Sequence, residues 1–152
     1  MPDLSRKSPE ADLVMLSFPL HFTWEILQAP LFASMSGASH LAGIRICLQA
    51  TLGDMAIALV AFWGAALIGG RGWAAGPDWR SFGGFLAIGV VLTIGLEYLN
   101  TDILGRWSYG DSMPRLPLLG TGLSPLAQWI AVPTIVAWYL HRLSGRRDPN
   151  VA

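Results

Sequence analysis

Charged residues are scarce in this chain: Asp, Glu, Lys and Arg make up only 13% of its 152 residues, against roughly 25% in an ordinary soluble domain. Hydrophobic residues make up 53%. A soluble domain of this length, enough for one domain, could not hide that much apolar surface. Net charge is absent as well, at a formal value of zero. No strong field attracts nucleic acid, and none is expected as a partner. The single cysteine, Cys47, excludes an internal disulfide and any Cys-based metal cluster within one chain. It therefore says nothing about redox compartment. Apolar and polar residues do not alternate, which excludes strands. No repeat relates the two halves, which argues against an inverted-repeat transporter.

What the chain does have is four apolar segments, at 12–33, 46–69, 82–104 and 123–141. Each is close to the ~20 residues that cross ~30 Å of hydrocarbon as a helix. The expected fold class is all-α: a polytopic membrane protein built as a four-transmembrane-helix bundle. Seven Trp residues fit a protein whose ends meet the bilayer interface, where indole is favoured. Residues 1–11 read as a polar, poorly ordered tail, and residues 142–152 as a basic tail. Loops are expected at 34–45, 70–80 and 105–122. The first apolar run follows Arg6 and Lys7 and precedes Ser36-Gly37-Ala38, in the manner of a signal peptide. It carries His21, Glu25 and Gln28 and is longer than a typical signal core, so it reads as a retained helix. It is the least apolar of the four. Pro19 and Pro30 within it are tolerated when neighbouring helices satisfy the freed carbonyls.

Orientation follows from the basic residues. With the N-terminus inside, Arg6, Lys7, Arg71, Arg80, Arg142, Arg146 and Arg147 face the cytoplasm, and Arg45, Arg106 and Arg115 face out. Seven against three favours N-in and C-in. The expected location is the cell membrane, a bacterial inner membrane with the 34–45 and 105–122 loops in the periplasm. Membrane lipids are the expected surroundings.

Polar groups are costly in lipid, about 2.5–3.5 kcal/mol for a central Asp, so those present need partners. His21, Glu25 and Gln28 share one helix face at i, i+4, i+7 spacing, bordered by Trp24. Cys47, Thr51 and Asp54 repeat that spacing, and the face continues as Ala58, Ala61 and Ala65, small enough for close helix approach. The third span carries Thr93, Glu97 and Asn100 or Thr101, and the fourth Ser124 and Gln128. At 1.5 Å per residue, Glu25, Asp54, Glu97 and Gln128 lie about 8–12 Å below the outer ends of their spans, with His21 deeper. Four helices thus place polar groups at one depth, which implies one cluster inside the bundle. Gln28, Thr51, Thr93, Asn100, Ser124 and Gln128 read first as interhelical hydrogen-bond glue. Three carboxyls with no basic residue at their depth would repel if all were ionised, so at least one is expected to hold a proton. That is a functional signature. Glu25, Glu97, Asp54 and His21 are therefore the candidate acid/base groups. One His among carboxylates, with no Glu-x-x-His pair, makes a thin metal signature, and no metal ligands are assigned. The cofactor stays open.

The 105–122 segment is expected to roof the cluster. One reading pairs Asp102 with Arg106 at i, i+4 and makes Trp107 and Tyr109 an interfacial belt. The other is a lid in which Arg106 and Arg115 hold an anionic headgroup. Candidate binding residues are Gln28, Asn100, Arg106, Trp107, Tyr109, Gln128 and Trp24.

From Glu97 to Gln128 the chain reads E-x-x-N, then G-R-W-S-Y, M-P and G-x-x-P-L-x-Q. This stretch resembles integral-membrane carotenoid cyclases and hydratases, in which an acidic membrane helix is followed by a Gly-Trp-aromatic turn and a Pro-Leu segment. Ala127-Gln128 stands where that pattern has an acidic pair, so no catalytic role is carried over. The resemblance implies a lipid-soluble, isoprenoid-like substrate. Three functions compete: a site that binds a lipid-soluble molecule or converts it by acid/base chemistry; an accessory subunit of a larger membrane complex; and a proton- or cation-coupled transporter working as a homo-oligomer. The near absence of polar residues in the inner half argues against the last.

Overall fold

The computed structural model describes residues 8–147. Arg6, Lys7 and the end of the basic tail lie outside the described residues. Four helices form the molecule: α1 (Pro9–Gln28), α2 (His40–Gly69), α3 (Trp79–Tyr98) and α4 (Leu123–Arg147). Among the described residues there is no strand, only two isolated bridges.

Local chemistry sets most of the ends. Ser8 caps α1, its Oγ accepting from Ala11 N at 3.2 Å, with Pro9 in the first turn, where no N–H is needed. Glu10 and Asp12 follow, favourably placed against the helix dipole. Ser39 caps α2 through Ala42 N at 3.3 Å. That cap corrects one expectation. The loop expected over 34–45 is helical from His40, because nothing after Ser39 breaks a helix; His40 is exposed in its first turn. Gly70 ends α2 at φ +78°, a conformation that other residues rarely adopt. Asp78 caps α3, and Ser81 Oγ donates to its Oδ2 at 2.5 Å. That bond, helped by backbone N–H groups, holds the Asp78 carboxyl below its ordinary range. The polar ends are also shorter than expected: α1 begins at Pro9, and α4 runs on to Arg147.

Each helix packs against its neighbours in sequence, and α1 closes the ring against α4. The core holds Leu13 of α1, Ala58, Ala61, Phe62 and Ala65 of α2, Phe85 of α3, and Trp129, Val132, Val136 and Leu140 of α4. The expected small-residue face of α2 is thus buried. Two glycines let α2 and α3 touch there: a Cβ on Gly64 would overlap the Ile88 side chain, and one on Gly84 would overlap Ile68. Nearer the other end a cavity lies between them, lined by Cys47, Gly53 and Asp54 of α2 and by Thr93, Leu96 and Glu97 of α3. The two helices therefore touch in one half of the bundle and part in the other.

The surface is inverted relative to a soluble protein. Leu67 is 90% exposed, Leu27 73%, Met15 70% and Val91 67%, while His21, Gln28, Thr51 and Gln128 are buried. So extensive an exposed apolar surface marks contact with lipid or partners. Three helical stretches, His40–Gly69, Trp79–Ile103 and Leu123–Ser144, are long and apolar enough to cross a membrane. α1 falls short of that standard, because His21, Glu25 and Gln28 lower its hydropathy. Its outward residues, Met15, Pro19, Thr23, Ile26 and Leu27, nevertheless carry no charge.

Two connections meet at the parted end. Ala33 N donates to Ser108 O at 2.9 Å and Gly110 N to Leu31 O at 2.8 Å. At the opposite end Arg71 pairs with Glu10, Trp73 Nε1 donates to Phe62 O at 3.3 Å, and His141 Nδ1 lies 3.1 Å from Ala75 O.

Candidate functional site

The site grows from six side chains that the four helices turn inward at the parted end. On α1, one face carries His21, Glu25 and Gln28. Asp54 projects from α2, Glu97 from α3, and Gln128 from α4, one turn after Ser124. Gln128 is the hub. Its Nε2 lies 2.9 Å from His21 Nδ1, 3.1 Å from Glu25 Oε1 and 3.0 Å from Asp54 Oδ2. Its Oε1 accepts from Gln28 Nε2 at 3.2 Å. An amide has two hydrogens for these three neighbours. His21 Nδ1 also lies 3.3 Å from Asp54 Oδ2, so the imidazole, the amide and the carboxyl meet at one point.

The hub is extended on both sides. Gln28 Nε2 also donates to Glu25 Oε1 at 2.8 Å, Ser124 Oγ donates to Gln28 Oε1 at 2.8 Å, and Trp24 Nε1 donates to Ser124 Oγ at 3.3 Å. Trp129 Nε1 donates to Asp54 Oδ1 at 3.1 Å. Trp129 reaches that position because Gly89 of α3 lies flat against its ring; a Cβ there would overlap the indole. Trp129 is fully buried.

Glu97 is held from the other side by the loop. Tyr109 donates its hydroxyl to Glu97 Oε2, and Trp107 Nε1 approaches the same oxygen at 3.5 Å. Burial, and then the bond to Glu97, push the Tyr109 hydroxyl above its ordinary value. The loop gets there by an abrupt exit from α3. A π turn over Leu99–Ile103 closes with Leu104 N on Leu99 O at 2.8 Å, and Gly105 follows at φ +58°. This geometry overturns the expected Asp102–Arg106 pair. The backbone has left the helix before Arg106, whose Nη1 donates to Asn100 Oδ1 at 3.4 Å, while Asp102 accepts from Thr101 at 2.5 Å. Arg115 stacks 5.1 Å from the centre of the Tyr109 ring and bonds its carbonyl.

Between these groups lies a cavity of about 810 Å³. Glu25, Asp54, Glu97, Gln28, Asn100, Arg106, Trp107 and Gln128 line it, as do Phe32, Ile57 and Trp129. Its exposed lining residues are Ile46, Gln49 and Gly53 on α2 and Leu96 on α3, where those helices part, together with Ser34 and Arg106 on the connections. Of the candidate site residues, His21, Trp24 and Tyr109 do not line the cavity; His21 stands behind Gln128 and Tyr109 behind Glu97, while Trp24 bonds Ser124. Not every proposed glue residue joins two helices. Thr51 bonds Cys47 O of its own helix at 2.8 Å, and the Asn100 amide bonds Leu96 O at 2.7 Å. Thr93 lines the cavity at 5% exposure, and its Oγ1 has no partner. Trp129, Gly53 and Gly89 were not singled out. A helical count through Gln128 signals none of them, since their roles depend on where α2, α3 and α4 touch.

Among the described residues no group of three or more His, Cys, Asp or Glu side chains is arranged to hold a metal ion. Compared with protein-family models, curated proteins and solved structures, the chain matches none.

Proposed function

We propose that this chain is a four-span membrane protein, N-in and C-in, that takes a lipid-soluble molecule from the bilayer into its side-opening cavity. Glu25 and Glu97 give protons to, or take them from, its polar end. The observation that carries the reading is the cavity itself. Its volume of about 810 Å³ is within the roughly 300–1,000 Å³ of small-molecule sites. It joins a mouth between α2 and α3, bordered by Ile46, Gly53 and Leu96, to a wall of carboxyl and amide groups from all four helices. Glue alone calls for no space between the groups it joins.

Several features support the membrane arrangement. Three helices already meet the requirements of a span. α1 is 20 residues long, about 30 Å at 1.5 Å per residue, and packs along α2 and α4 with its polar residues inward. An intramembrane helix tolerates such residues when they face the bundle. The parted end bears Arg45, Arg106 and Arg115, and the opposite end Arg71, Arg80 and Arg142, an excess of basic residues at the cytoplasmic end once Arg6, Lys7, Arg146 and Arg147 are added. The cavity then lies in the outer leaflet. Its depth suits a molecule whose polar end sits below the headgroups and whose chain leaves between α2 and α3. The resemblance of residues 97–128 to carotenoid cyclases and hydratases favours an isoprenoid-like chain.

Native mass spectrometry of protein released from its own membranes in mild detergent tests this. The wild type should carry a noncovalent adduct of lipid-like mass. Gly53→Trp, whose indole would enter the open space beside Gly53, should fold and lose it. A wild type as bare as Gly53→Trp would refute the proposal.

A further inference from the structure

The oxygens left open in this cavity indicate the class of ligand, an inference that rests on reading the cavity as a ligand site. Asp54 is satisfied at both oxygens, by Trp129 on Oδ1 and Gln128 on Oδ2. Glu25 is satisfied only at Oε1, by Gln28 and Gln128. Glu97 is satisfied only at Oε2, by Tyr109 and Trp107. Glu25 Oε2 and Glu97 Oε1 thus accept nothing from the described residues. Thr93 adds a third open oxygen: the residue is 5% exposed and its Oγ1 has no partner. All three residues line the cavity, and each open oxygen can accept a hydrogen bond, the Thr93 hydroxyl being able to donate one as well.

Charge points the same way. Three carboxyl groups line the cavity against one basic side chain, Arg106, whose guanidinium is turned to Asn100. An anionic head would meet like charge. A neutral alcohol brings a single donor and leaves the net negative charge of the carboxyl groups uncompensated. A primary ammonium brings three N–H donors and a positive charge, and stays protonated at neutral pH as a lysine side chain does. The aromatic ring of Trp107 in the same wall suits a cation. We infer that the ligand is a lipophilic primary amine, its ammonium held by Glu25 Oε2, Glu97 Oε1 and Thr93 Oγ1. Two sources share that chemistry: a free long-chain amine and the ethanolamine head of a phospholipid.

The test uses the full chain in phosphatidylcholine nanodiscs, with dodecylamine and dodecanol as probes, and follows tryptophan fluorescence and the thermal midpoint. Dodecylamine should bind saturably and at least about tenfold more tightly than dodecanol, as expected for a charge pair out of water. Glu25→Gln and Glu97→Gln should each remove most of that preference and leave dodecanol affinity within about threefold. Thr93→Val, nearly isosteric, should weaken dodecylamine alone, and it serves as the test if a Gln variant fails to fold. Replacing part of the phosphatidylcholine with phosphatidylethanolamine separates the sources. Competition with dodecylamine assigns the head to a phospholipid; no competition assigns it to a free amine; either result supports the ammonium class. Equal binding of amine and alcohol, both blocked by Gly53→Trp, would overturn the ammonium assignment and leave the ligand site standing. Binding of neither probe, with no response to Gly53→Trp, would overturn both.

Discussion

Replacing Gln128 with Leu should loosen the whole parted end of the bundle. Leu is close in volume, so packing is nearly conserved, and what is lost is the hub. Gln128 is 1% exposed and touches His21, Glu25, Gln28 and Asp54 on two other helices. Its two N–H hydrogens and the one bond its oxygen accepts, from Gln28, make three full hydrogen bonds here. Interhelical hydrogen bonds in membranes average about 0.6 kcal/mol and reach about 1.7. The expected loss is therefore about 2 kcal/mol, with about 5 as the upper bound. The neighbours soften it: Asp54 keeps Trp129, and Glu25 keeps Gln28. Equilibrium unfolding in mixed micelles, titrated with a denaturing detergent and read by far-UV circular dichroism, measures the change. Ala127→Leu, one residue away on the exposed face, should change stability by less than about 0.5 kcal/mol. If Gln128→Leu is equally silent, the hydrogen-bond hub does not exist as described.

Other consequences follow from the same geometry. Gly89→Leu should displace Trp129 from Asp54 and cost about 1–3 kcal/mol through overpacking, visible as a shifted tryptophan emission maximum; an unchanged spectrum and stability would refute the packing. Tyr109 should titrate above the ordinary tyrosine range on alkaline spectrophotometric titration, and Tyr109→Phe should remove that step. Because its folded value is raised, its stabilising contribution is complete below the ordinary tyrosine range and fades as pH rises through and beyond it. Asp78 has the opposite sign: its folded value is lowered, so the α3 cap is complete above the ordinary carboxylate range and is lost as pH falls through it. Asp78→Asn should flatten that acid dependence in the same unfolding assay.

The polar cluster was legible in the sequence because two simple periodicities coincide. His21, Glu25 and Gln28 must share a face if residues 12–33 are helical, and a constant rise puts Glu25 level with Asp54, Glu97 and Gln128, with His21 deeper. Both rules survive tertiary packing, and the hub around Gln128 is their consequence. Small residues at Ala58, Ala61 and Ala65 likewise foretold a buried seam. What counting could not foresee depends on how helices lean and end. The cavity exists because α2 and α3 touch at Gly64 and Gly84 and part near Gly53, a divergence encoded in contacts between segments. The Asp102–Arg106 pair failed because a π turn and Gly105 end the helix between them, and hydropathy does not register where a helix unwinds. The early start of α2 was legible after all: Ser39 before Ala42 is a serviceable N-cap. The small residues around it concealed that signal.

The central claim is that the polar wall faces a ligand rather than itself. A structure of the protein in lipid from its native membrane tests it most directly. The account expects non-protein density between Glu25, Thr93 and Glu97, continuing out past Gly53 between α2 and α3. Closed walls, with Glu25 and Glu97 bonded to each other and α2 against α3 along their full length, would contradict it.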